Sequence, residues 1–191
     1  MATHQTTHVR LTQATALLLG TLCAGANLAI SFFLVPRLLE SPTPVMLRQW
    51  SRSYHRGAAT IPVGAGVAAA AYFYLGFWGP GRGAASLSRA RAYLAAGALT
   101  IGIVPYTLLA MARTNGELKR LDAAVGAADA GAVKVGTAAE AAAEVPPEGE
   151  AVVVAKAERS AKGLVDWWGV LNLGRAGLLL AGSVCGLVAS L

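Results

Sequence analysis

LTQATALLLGTLCAGANLAISFFLVP, residues 11–36, runs for 26 positions without a charged side chain. An α-helix needs about 20 apolar residues to cross the hydrocarbon core of a bilayer. The stretch is too long for the apolar region of a signal peptide, and only Arg10 precedes it as a basic flank. It reads as a retained first membrane span.

The rest of the chain follows the same pattern. Uncharged runs recur at residues 57–81 and 92–112, and residues 167–191 carry Arg175 as their one charge. Tyr72, Phe73, Tyr74, Phe77 and Trp78 close the second run, and Trp167 and Trp168 open the fourth. Aromatic clusters of this kind sit at membrane–water boundaries. Gly79-Pro80-Gly81 ends the second run, and Pro105 predicts a kink in the third. Gly64 and Ala68, Ala95 and Leu99, and Gly174 and Leu178 lie near helix-packing spacing, which predicts close helix approach. The fold class is therefore all-α, an integral membrane four-helix bundle.

Composition agrees: 55% of the residues are hydrophobic and 14% charged, against roughly a quarter charged in an average soluble domain. The net charge of +6 flanks the apolar runs instead of forming one basic face, so it anchors the spans and excludes a nucleic-acid partner. Nine cations (Arg37, Arg48, Arg52, Arg56, Arg113, Lys119, Arg120, Arg159 and Lys162) flank the connections after spans one and three. Four (Arg10, Arg82, Arg89 and Arg91) lie at the other side. The bias favours a cytosolic location for those two connections. Cys23 and Cys185 lie inside apolar runs, with no metal or disulfide pattern.

The connections divide the chain further. Residues 1–10, with His4 and His8, read as a disordered tail, and residues 11–120 as spans one to three. Residues 45–56 read as an interfacial helix running into span two, with Trp50, Tyr54 and Gly57 on one face and Arg48, Arg52 and His55 on another. Residues 121–160 read as a long flexible acidic loop, because residues 121–158 hold seven Asp or Glu against two Lys, Pro146-Pro147 and no sustained apolar face. Residues 164–191 contain span four.

Arg175 is the strongest chemical signal. It lies eight residues inside Trp167, or about 12 Å along a helix, where a charge needs polar company or water. Asn172 and Trp168 share its helical face. Cys23, Asn27 and Ser31 form a polar stripe in span one. Thr107, Met111, Thr114 and Leu118 share a face in span three, with Asn115 beside it. Each polar group can equally serve as helix–helix glue, snorkelling anchor or turn residue. His55 is the one histidine outside the tail and the natural proton acceptor. No dinucleotide, P-loop or metal motif is present, and no carboxylate lies within a span, which argues against a proton-driven pump or a carboxylate-iron enzyme.

Four patterns occur in order along the spans: Ser31 with Pro36; Trp50-x3-Tyr54-x2-Gly57-x4-Pro62; Pro105-x-Thr107 with Thr114-Asn115-x2-Leu118; and Trp168-x3-Asn172-x2-Arg175. In this the chain resembles the anthrone oxygenase family, small membrane proteins of aromatic polyketide pathways, many without an assigned activity. The resemblance implies oxidation of a polycyclic anthrone to an anthraquinone by molecular oxygen, with no organic cofactor and no metal. His55 would be the base, and Arg175, Asn172 and Asn115 would meet the developing oxyanion. Trp50, Tyr54, Trp168, Asn27, Arg48 and Thr107 would hold the substrate. The partners implied are the aromatic small molecule and the lipid bilayer, with a homo-oligomer left open. The location implied is a multi-pass endomembrane site such as the endoplasmic reticulum, if the source is fungal. The competing reading is a non-catalytic four-span scaffold or assembly protein, which predicts a filled bundle centre. A small transporter would want an intramembrane acid or an inverted repeat, and neither is found.

Overall fold

The computed structural model describes residues 2–79, 84–135 and 148–191. Among them, four helices are long and apolar enough to cross a membrane: Thr7–Leu39, Thr43–Trp78, Ser86–Ala128 and Lys156–Ser190. The first comprises α1 (Ala2–Ala29), a π-helical turn (Ile30–Leu34) and α2 (Val35–Leu39). The second is α3 (Thr43–Trp78). The third joins α4 (Ala84–Ile101), α5 (Ile103–Tyr106), a second π turn (Thr107–Met111) and α6 (Ala112–Val135). The fourth lies within α7 (Glu148–Ser190).

The spans form a ring in chain order, the first and third each packing on the second and fourth. Large apolar side chains point outward, Leu18 at 61%, Phe33 at 74% and Leu109 at 85% exposure. A soluble monomer does not present so continuous an apolar exterior, whereas lipid accepts it. Ser31 Oγ donates to the Gly169 carbonyl at 2.8 Å, tying the first span to the fourth. Tyr106 Oη donates to the Leu171 carbonyl at 3.2 Å, tying the third to the fourth.

Three sequence-based expectations differ from the structure. The tail is helical from Ala2, continuous with span one. The helix over 45–56 does run into span two, since α3 is unbroken from Thr43 with Pro44 in its first turn, where no N–H is needed, but its setting differs from the interfacial one expected. Met46, Leu47 and Trp50 are buried in the core instead of lying on a membrane surface. Residues 121–135 and 148–160 of the supposed loop are helical; residues 136–147, with Pro146 and Pro147, lie outside the described residues, as do Pro80 and Gly81. The extension of α6 has an apolar stripe after all. Leu118, Leu121 and Val125 pack with Ala161, Val165 and Trp168 of α7 and with Met46, Leu47 and Trp50 of α3. A stripe that narrow is sufficient once a neighbouring helix covers it.

The third span breaks where proline requires it. Pro105 has no N–H to give the Ile101 carbonyl, and the chain is irregular at Gly102 before α5 resumes, with Tyr106 N donating to Gly102 O at 3.1 Å. The π turn follows directly.

Candidate active site

The helix irregularities meet at one level of the bundle. Ile30 from the first π turn, Thr107, Leu108 and Met111 from the second, and Pro62 from within α3 all line the same cavity. Pro62 cannot donate to the carbonyl of Ala58, a further wall residue. Helices that kink and widen lose the side-by-side contact that would otherwise close the bundle. The result is a cavity of about 210 Å³ whose walls are mostly apolar.

Three polar side chains give it chemistry. Arg175 is 8% and Asn115 6% exposed, and both line the cavity. Arg175 Nη1 donates to Asn172 Oδ1 at 3.3 Å. Asn172 is itself held by Nδ2 donating to the Trp168 carbonyl at 2.8 Å. The stripe Trp168–Asn172–Arg175 therefore works as one unit, with Asn172 behind the wall as the holder of the guanidinium. Arg175 Nε and Asn115 Oδ1 are buried without a partner. An unpaired donor and an unpaired acceptor, buried on two residues of the cavity lining, are costly in an empty protein. They suit a ligand that presents an acceptor to one and a donor to the other. Thr107 also lines the wall, but its hydroxyl already donates to the Ile103 carbonyl at 2.7 Å. The wider π turn keeps Thr107, Met111 and Asn115, at spacings of four, on the cavity side.

Aromatic rings form one end. Tyr54 and Trp168 line the cavity, and Trp50, fully buried, supports both from behind. Trp50 stacks on Tyr54 with centroids 5.2 Å apart and meets Trp168 edge-on at 5.9 Å. Lys119 Nζ lies 4.5 Å from the centre of the Tyr54 ring, a cation–π contact at the charged end of the site. Lys119 was legible only as one of the interface cations; its place over Tyr54 depends on α6 continuing past the membrane.

The other sequence candidates fall elsewhere. His55 is exposed and absent from the cavity wall, its ring edge-on to Tyr54 at 5.5 Å. It does not face the space where a substrate would sit. Arg48 is exposed on the same outer face. Asn27 is fully buried, with Nδ2 donating to the Cys23 carbonyl at 2.7 Å, and stands outside the wall with Oδ1 unpartnered. Tyr54 and Arg175 are the titratable side chains that line the cavity. Among the described residues, no three His, Cys, Asp or Glu side chains come together as a metal site.

A ring of four membrane-length helices around an apolar chamber with one inward guanidinium defines a helical membrane-type protein with an internal ligand site. Comparison with known proteins then gives the particular family. Residues 50–185 match the anthrone oxygenase family, and the chain belongs to it. A relative described as an anthrone oxygenase from Emericella nidulans is 39% identical over 57% of this chain and 56% of its own length. Another so described, from Aspergillus fumigatus, is 31% identical over 90% of this chain and 88% of its own length. A monooxygenase of Dothistroma septosporum is 28% identical over 90% of this chain and 78% of its own. The chain thus spans just over half of the first of these relatives. No solved structure matches it.

Proposed function

We propose that this protein is a membrane-bound oxygenase that converts a polycyclic anthrone to the corresponding anthraquinone with molecular oxygen, in aromatic polyketide biosynthesis. One observation carries the reading: a buried guanidinium, with Nε unpartnered, faces an apolar cavity that has aromatic walls at one end. An anthrone has a CH₂ flanked by two aromatic rings, and loss of one of its protons turns the central carbonyl into an aromatic oxyanion. Arg175 stabilises that oxygen in a site from which water is largely excluded, where a fixed charge acts most strongly. Asn115 accepts a hydrogen bond from a ring hydroxyl. Trp168 and Tyr54 pack on the flat rings.

Among the described residues the wall offers neither imidazole nor carboxylate, so stabilising the anion carries the first step: the CH₂ proton passes to solvent water at the charged end of the site, and the peroxide anion formed later takes one proton back from it. The electron-rich carbanion then reduces oxygen and combines with it at the former CH₂ carbon. The hydroperoxide formed there loses water, leaving the second carbonyl. The balance is anthrone plus O₂ giving anthraquinone plus water, so one oxygen atom enters the product. The reading needs no organic cofactor and no metal.

The test is anaerobic incubation of the purified chain in micelles with an anthrone, followed by admission of ¹⁸O₂. The expected result is quinone formation well above the protein-free rate, one ¹⁸O in the new carbonyl, and no loss of rate after exhaustive chelation. Quinone formation at the rate of buffer alone refutes the assignment. A rate that falls with removal of a metal detected by elemental analysis refutes its cofactor-free part.

A further inference from the structure

A groove of about 610 Å³ runs along the outside of the bundle between the first and second spans. It shares Ile30, Ser53, Gly57 and Ile61 with the cavity wall. These four residues border both voids, and Gly57 is the smallest of them. There the second span presents only Gly57-Ala58-Ala59-Thr60 before Ile61, and the groove's facing side on the first span includes Ala26 and Ala29. Gly57 is not compressed by packing: a Cβ there would meet only the Ile61 Cδ1, at 3.8 Å. Arg37 and Arg56 stand at the charged end of the groove. Among the cavity residues that the groove does not share are Arg175, with Nε unpartnered, and Asn115, with Oδ1 unpartnered, both side chains more than nine-tenths buried.

We propose that this groove is the route by which a planar aromatic ligand dissolved in the bilayer enters the cavity. The inference rests on the aromatic substrate proposed above and names its path. An acidic aromatic oxygen is held at headgroup level by Arg56 and Arg37. The ring then slides edge-on past the small side chains at Gly57, toward Arg175. A flat ring passes Ala26, Ala29 and Gly57 with little displacement of neighbours, and the branched side chains on its way are Ile30, Thr60 and Ile61. The rival opening lies between the second and third spans, where Pro62, Val104 and Leu108 line the cavity and the last two are exposed.

Ala29 belongs to the groove and not to the cavity wall, so it separates passage from binding. The experiment uses the full chain in lipid nanodiscs, with the exposed Trp78 and Trp167 replaced by Phe. Quenching of Trp50 and Trp168 by 1,8-dihydroxyanthraquinone is followed by stopped flow, without oxygen turnover. Ala29→Phe is expected to slow association and dissociation together by about tenfold or more and to leave Kd within about twofold, because an obstruction changes rates and not the bound state. Leu108→Phe serves as the rival route. Unchanged rates in Ala29→Phe overturn the proposal, as does slowing confined to Leu108→Phe. A weakened Kd with unchanged association also overturns it, because the groove would then be a binding surface. If the probe does not quench the unblocked protein, the aromatic-ligand reading itself fails; if it binds normally and Ala29→Phe has no effect, only the route fails.

Discussion

Replacing Arg175 with methionine separates what the guanidinium does for the fold from what it does for chemistry. In the empty protein it is buried, makes one hydrogen bond of 3.3 Å to Asn172 Oδ1 and leaves Nε unpartnered. Burying a charge costs several kcal/mol, and one hydrogen bond to a charged group offsets about 1.5–3 kcal/mol of that. Removing the charge therefore stabilises the fold by a few kcal/mol, on the order of its unmet desolvation. It also strands Asn172 Oδ1, at about 1–3 kcal/mol. The two nearly cancel, so Arg175→Met should unfold within about 2 kcal/mol of the parent, read by denaturant titration in micelles. Anthrone oxidation should fall by about 10²–10³-fold, the usual loss when one oxyanion donor is removed. The double variant Arg175→Met/Asn172→Leu removes the stranded acceptor and should be more stable than Arg175→Met alone. An oxidation rate within threefold or so of the parent refutes the catalytic role, since one oxyanion donor is worth far more. A stability loss beyond about 4 kcal/mol, typical of breaking a buried pair, shows that the guanidinium is a structural member of the bundle.

Four further outcomes are expected. His55→Ala should oxidise an anthrone at close to the parental rate, since the imidazole is exposed outside the wall; a loss of about 10²-fold or more would restore it as general base. Asn115→Leu should raise stability by about 1 kcal/mol, by removing an unpartnered buried oxygen, while weakening the binding of a hydroxylated quinone measured by tryptophan quenching; tighter binding would contradict the role given to Asn115. Gly174→Val should destabilise by about 2 kcal/mol or more, because a Cβ there collides with the Tyr106 hydroxyl and ring. Gly177→Ala, with nothing within 4 Å, should be neutral or stabilising by about 0.5–1 kcal/mol, and paired melting curves compare the two.

The four spans were legible because a run of twenty uncharged residues has few other uses, and the stripe Trp168–Asn172–Arg175 because it needs only the spacing of one helix. Helical arithmetic also divided residues 48–57 correctly into two faces, Trp50, Tyr54 and Gly57 on one and Arg48, Arg52 and His55 on the other. It could not say which face turns inward. Burial of Trp50 against Trp168 decides that, and it carries Arg48 and His55 outward. The helical extensions of α6 and α7 were missed for a related reason. Leu121 and Val125 look like stray apolar residues in an acidic stretch until Ala161 and Val165, some forty residues later, come to lie in the same cluster. The cavity itself arises from two prolines, Pro62 and Pro105, and two π turns on different helices, a coincidence of level that no single segment displays.

The lone cation in the chamber has a consequence for the life of the protein in its host. Among the described residues no carboxylate lines the space beside it, so the vacant state is the one least at ease, and the aromatic anion of the proposed function would relieve it. Occupancy then raises the melting temperature through simple mass action. Cells that make this chain without supplying its aromatic ligand should retain less of it, as quality-control proteases remove the fraction that opens. Under the proposed function, abundance would thus follow the supply of that ligand.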